Sequence, residues 1–149
     1  MNRFRLISAA QWTARVLLAG VLMAAGILKL QDNSSLIETV AYITWLPVRI
    51  KWWIVNLLPW GEIVLAVLLI SRLMDRVVVP VVALLFFGFL VFAIYGTATG
   101  MEGDCGCFGE WMDSSFGAPM IIRNAVLTAM AGFLFWRPET TALSRQTSV

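Results

Sequence analysis

Residues 77–101 read VVVPVVALLFFGFLVFAIYGTATGM. The run carries no charge and exceeds the roughly 20 apolar residues that a spanning helix needs. It predicts a transmembrane helix over about residues 77–99, with Pro80 tolerated near the start, where helix amides have no partner to lose. Three further segments reach spanning length if ionisable residues are accommodated. Residues 11–30 span if Arg15 and Lys29 extend toward the two interfaces, leaving Val16 to Leu28 uncharged between them. Residues 52–71 span around Glu62, and residues 118–136 span around Arg123. The expected fold is an all-α, integral membrane four-helix bundle. It forms one domain over residues 1–137, followed by a mobile cytoplasmic tail over 138–149.

Composition agrees with that expectation. The chain is 60% apolar and only 13% charged, where a globular domain carries about 25% charged residues. Seven Trp and nine Phe suit a chain that meets lipid and two headgroup belts, and Trp45, Trp52, Trp53 and Trp60 read mainly as one such belt. A net charge of +2 without a basic stripe gives no reason to expect nucleic acid. Histidine is absent, which excludes His-ligated zinc, His-ligated haem and His-based triads. Arg3 and Arg5 resemble the start of a secretory signal, but Arg15 interrupts the apolar run and no small-residue cleavage site follows. The first segment therefore reads as a retained helix.

The Lys/Arg bias of short loops sets orientation. With the N-terminus inside, the inner side holds Arg3, Arg5, Arg72, Arg76, Arg137 and Arg145, and the outer side holds Arg49 and Lys51. The loop over about 100–117 holds no Lys or Arg, and carries Glu102, Asp104, Glu110 and Asp113. Both termini are then cytoplasmic and that loop extracytoplasmic, in a bacterial cytoplasmic membrane. The first outer loop reads as a short extracytoplasmic amphipathic helix. Ser35-Leu36-Ile37-Glu38 has the form of a capping box, Leu36, Val40, Ile43 and Leu46 share one face, and Pro47 stops the run. This helix either roofs the bundle near the acidic loop or tiles the headgroups.

The acidic loop contains the chain's two cysteines, in Gly103-Asp104-Cys105-Gly106-Cys107-Phe108-Gly109. Two thiols one residue apart close a disulfide only across a very short ring, near the lower limit of normal geometry. Strained or exposed disulfides are the exchange-prone ones, and an oxidising compartment lets them form. The first reading is a redox-active pair with Cys105 and Cys107 as catalytic residues. A static disulfide pinning the loop and a two-thiolate metal contact remain alternatives. The metal reading lacks the four ligands of a closed structural site, so no metal is expected.

The intramembrane charges are the second pattern. Ionisable groups within spans are rare and mostly face the bundle interior in pairs. Lys29 at the end of the first span, Glu62 partway along the second and Arg123 one turn into the fourth all fall toward the outer side, with the thiols, while Arg15 falls at the opposite end. They are candidates for a supporting polar site beneath the cysteine loop. Alternatively they form a structural ion pair, with Lys29 snorkelling to the interface.

Several stretches, taken together, resemble a known family. They are Arg15 with Gly26-Ile27-Leu28-Lys29-Leu30, then Ala41-Tyr42 and Leu46-Pro47, then Leu58-Pro59-Trp60-Gly61-Glu62-Ile63, then Cys105-Gly106-Cys107-Phe108-Gly109, and Arg123-Asn124. In that order they are similar to the DoxX-like membrane proteins, specifically the methylamine utilisation MauE branch, over roughly residues 10–136. The resemblance implies a four-helix membrane protein that supports disulfide formation or maturation of another protein. It implies a thiol-disulfide relay role for Cys105 and Cys107 and a periplasmic thioredoxin-like partner. The chain also looks functionally analogous to DsbB and vitamin K epoxide reductase, which work through quinones. Those proteins use a CxxC pair plus a second pair, and this chain has one CxC, so the residues assign no cofactor with certainty and a quinone is doubtful. A non-catalytic membrane assembly subunit with a structural CxC disulfide is the alternative function.

Overall fold

The structure is a computed structural model that describes residues 2–100 and 117–135. The cysteine loop with its four acids, Trp136, and the tail over 138–149 lie outside the described residues. The described residues form five helices: α1 (Asn2–Gln31), α2 (Ser34–Tyr42), α3 (Val48–Ser71), α4 (Asp75–Ala98) and α5 (Ala118–Phe135). Four of them, α1, α3, α4 and α5, are long and apolar enough to cross a bilayer. The fold is all-α, with no strand among the described residues.

Helix α1 begins nine residues before the expected start at residue 11. Arg3 to Ala14 contains no Gly or Pro, so nothing in it interrupts the helix that the apolar span propagates. Helix α4 starts at Asp75, which moves Pro80 out of the first turn, where it was expected, and into the second. Helix α2 also departs from expectation. Its N-cap is Asn33, whose side chain makes no capping bond, so Ser35 lies inside the first turn and the expected capping box does not start the helix. Asp32 accepts the Ser34 amide at 2.9 Å instead, a local turn that begins the helix one residue earlier. The Ser34 hydroxyl and amide hold the Asp32 carboxyl below its ordinary range. At the other end α2 stops at Tyr42, well before Pro47, because the Ile43 amide folds back to Val40 O at 3.3 Å and tightens the last turn. Leu36 and Val40 are nonetheless buried, and Lys51 Nζ donates to Ala41 O at 3.2 Å, so α2 packs on the first turns of α3.

The long helices close a ring in which α1 neighbours α3 and α5, and α4 neighbours α5 and α3. The buried stripes that face inward are narrow. On α1 they are Ala14, Arg15, Leu18, Ala19, Leu22, Ala25 and Lys29; on α3, Pro59, Glu62, Ala66 and Leu69; on α5, Met120, Asn124, Leu127, Ala131 and Leu134. The steps of three and four residues are those of a bundle seam. Helix α4 adds Val78, Val79, Val82, Phe86 and Ala93. Outside these stripes the surface is as apolar as the core: Leu84 is 70% exposed, Trp60 59%, Ile122 63% and Leu57 61%. Polar side chains are buried and apolar ones cover the outside, so the solvent of this surface is lipid.

Gly26 fixes how closely α1 and α3 approach. A Cβ there would lie 2.7 Å from Ile63 Cγ1 and 2.8 Å from the Pro59 carbonyl oxygen. The second contact is backbone and has no rotamer to escape into. Gly20 on the same helix would place a Cβ in open space. Gly26→Ala therefore forces α1 off α3 and should destabilise the bundle by about 1–3 kcal/mol. Gly20→Ala should leave stability unchanged or raise it by about 0.5–1 kcal/mol. Reversible unfolding in mixed micelles measures both.

Candidate functional site

The site starts from the α1 seam. Residues 15, 22 and 29 fall one heptad apart, so Arg15 and Lys29 share a face and stand about 21 Å apart along the axis. Each meets a carboxylate from another helix, and between them lie Leu18, Leu22 and Ala25, all buried.

At one end Arg15 donates to both oxygens of Asp75, at 2.8 and 3.1 Å, and to Leu69 O at 2.7 Å. This forked contact ties α1 to the close of α3 and the start of α4. Arg72 Nε stands 3.7 Å from the same carboxylate. The turn beneath them is tight: Arg72 and Met74 both take left-handed φ, at 58° and 56°, which non-glycine residues adopt at a cost.

At the other end Lys29 Nζ donates to Glu62 Oε1 at 2.5 Å. The side chains are 1% and 0% exposed. Lys29 thus turns inward and does not snorkel. Its ammonium also stands 5.3 Å from the centre of the Phe89 ring on α4, within range of a cation–π attraction. Helix α3 delivers Glu62 just after Pro59, whose ring nitrogen has no hydrogen to give Val55 O. Gly26 lets α1 close on this turn of α3. Glu62 Oε2 accepts no hydrogen bond among the described residues and is buried.

The two carboxylate–cation pairs are separate, and the sequence points to only part of this arrangement. Lys29 and Glu62, two of the expected supporting residues, meet directly. Arg123, the third, is half-buried on α5 beside the buried Asn124. Asn124 donates to Met120 O at 3.0 Å on its own helix. Asp75, the partner of Arg15, was missed because it reads as a loop residue. The signal that finds it is the two-heptad spacing of Arg15 and Lys29. Cys105 and Cys107 lie on the link from α4 to α5, outside the described residues. That link leaves the C-terminal end of α4, the end toward which α1 brings Lys29. Among the described residues no three His, Cys, Asp or Glu side chains converge to hold a metal.

Four spanning helices around buried, paired charges define a multi-pass membrane protein. A family model described as methylamine utilisation protein MauE matches residues 7–137, and the chain belongs to that family. No curated protein and no solved structure matches it.

An unpaired charge within the hydrocarbon is costly, so each member of the pair depends on the other. Lys29→Met should destabilise the protein by about 3–5 kcal/mol by leaving Glu62 alone. Lys29→Met combined with Glu62→Leu should recover most of that loss. Additive losses from Lys29→Met and Glu62→Leu in a double-mutant cycle would show that the two residues do not depend on each other.

Proposed function

We propose that this protein exchanges thiols and disulfides with an extracytoplasmic thioredoxin-like partner through Cys105 and Cys107, in support of disulfide formation or protein maturation of the methylamine utilisation type. The observation that carries the reading is the Cys105-Gly106-Cys107 pair on the link between two spanning helices. Membership of the MauE family supports it. The DoxX-like kinship seen in the same motifs belongs to this reading.

In the exchange a thiolate of the partner attacks one sulfur of the Cys105–Cys107 disulfide. The S–S bond breaks, a mixed disulfide forms, and the departing thiolate takes a proton. The second partner thiol then attacks the mixed disulfide, so that the partner leaves oxidised and Cys105 and Cys107 are both reduced. The reverse sequence reduces the partner, and either direction moves two electrons and two protons. The loop's lack of Lys and Arg supports an extracytoplasmic position, in a bacterial cytoplasmic membrane with both termini inside. In this reading Lys29, Glu62 and Arg123 form the polar layer below the loop. The pairing of Lys29 with Glu62 supports a floor that is rigid and charge-balanced.

Replacing one cysteine by serine removes the resolving thiol and should arrest the exchange at the mixed disulfide. Cys105→Ser or Cys107→Ser in the native membrane should accumulate one covalent partner, released by dithiothreitol and identified by mass. The wild-type thiols should react with a membrane-impermeant maleimide added to spheroplasts after reduction. No adduct from either variant, with the partner's oxidation unchanged in both, would instead support the assembly-subunit reading.

A further inference from the structure

A groove of about 360 Å³ runs along α3 on the outside of the bundle. Ile50, Trp53, Leu57, Gly61 and Leu65 line it, Leu85 of α4 borders it, and Glu62 forms part of its lining. Ile50, Trp53 and Leu57 are exposed on the face that meets lipid, so the groove opens sideways into the bilayer rather than to water. Apart from Glu62 its walls carry only apolar or aromatic side chains.

Two observations show that this is more than a gap in the surface. Glu62 is fully buried, and its Oε2 accepts no hydrogen bond among the described residues. A buried carboxylate oxygen without a donor is costly, most of all in hydrocarbon. Gly61, next to it, lies inside a helix, where glycine costs about 1 kcal/mol relative to alanine. No close packing explains that glycine, because a Cβ at this position meets nothing within 4 Å. Its effect is to leave the groove open beside Glu62.

We propose that the groove binds a lipid-soluble molecule with a neutral hydroxyl head, which donates to Glu62 Oε2. The charge balance selects the head. Lys29 already neutralises the carboxylate through Oε1, so a cationic ligand would bring an uncompensated charge into the membrane, whereas an O–H supplies the missing donor and no charge. The walls select the body, since an apolar tail entering from the bilayer leaves no polar group unsatisfied. The volume suits one ring or a short chain segment and excludes a peptide or a nucleotide. Glu62 is fully buried, so binding includes a side-chain shift in the groove wall. The inference does not rest on thiol exchange.

The test is saturation binding of radiolabelled 4-octylphenol to the full chain in nanodiscs, with empty nanodiscs as background. The wild type should bind saturably. The methyl ether, 4-octylanisole, has the same tail without the donor and should bind about tenfold more weakly or worse, the loss expected for one hydrogen bond to a charged group. Gly61→Leu fills the groove without touching the Lys29–Glu62 pair. It should abolish saturable binding while keeping or raising the melting temperature. Cys105→Ser with Cys107→Ser should bind as the wild type does, which separates this result from any failure of the exchange reading. Absence of saturable binding to the wild type, equal binding of phenol and ether, or full binding by a folded Gly61→Leu variant would each overturn the proposal.

Discussion

The Lys29–Glu62 ion pair constrains everything around it. A lone ammonium or carboxylate in hydrocarbon costs several kcal/mol, so neither residue can be placed without the other. That requirement fixes the rotation of α1 and α3 about their axes and their register along each other. It also makes Gly26 necessary, because the pair forms only where the two backbones nearly touch. Phe89 extends the constraint to α4 through its ring face. Two heptads away, Arg15 and Asp75 impose the same condition on the other end of α1. The apolar seam between them needs only to fill space. Lipid gives apolar side chains little reason to prefer one another over the bilayer, so the specificity of the bundle resides in these polar contacts and in the small residues that let helices close.

This arrangement suits the proposed exchange, which puts the chemistry on a loop. Cys105 and Cys107 are carried between α4 and α5, which pack against each other, and the Arg15–Asp75 pair ties α4 to α1. In the proposed exchange, a partner protein brings its own thioredoxin fold and its own activated thiol. The membrane protein then needs to present a dithiol at a fixed height above the bilayer. On that proposal the Lys29–Glu62 pair serves as a charge-balanced support and not as a proton relay. The MauE family match places the chain among proteins of methylamine utilisation, and maturation of a disulfide-containing client is the proposed link between that role and the cysteines.

The spanning helices were legible because hydropathy alone determines them: the uncharged run after Arg76 admits no other reading. The interior charges were legible as exceptions, since Glu62 has no reason to stand mid-span unless something answers it. Lys29 was ambiguous, because a long aliphatic stem at a helix end can reach either the headgroups or the core, and only the position of Glu62 on the facing helix decides. Asp75 was lost to its apparent place in a turn, and Asp32 to the stronger-looking capping signature that begins at Ser35. Both errors concern helix starts, where a carboxylate a residue or two away outweighs the local pattern. Gly61 was visible only as part of a motif. Its meaning required knowing that nothing packs against it.

The reduction potential of the Cys105–Cys107 couple tests the central claim most directly. It is measured on the full chain in nanodiscs, equilibrated against graded thiol–disulfide buffers and read by maleimide mass shift. An exchange site predicts a potential above about −300 mV, within reach of thioredoxin-fold partners. A potential below about −300 mV, with a disulfide that resists reduction, would mark the pair as structural and contradict the account.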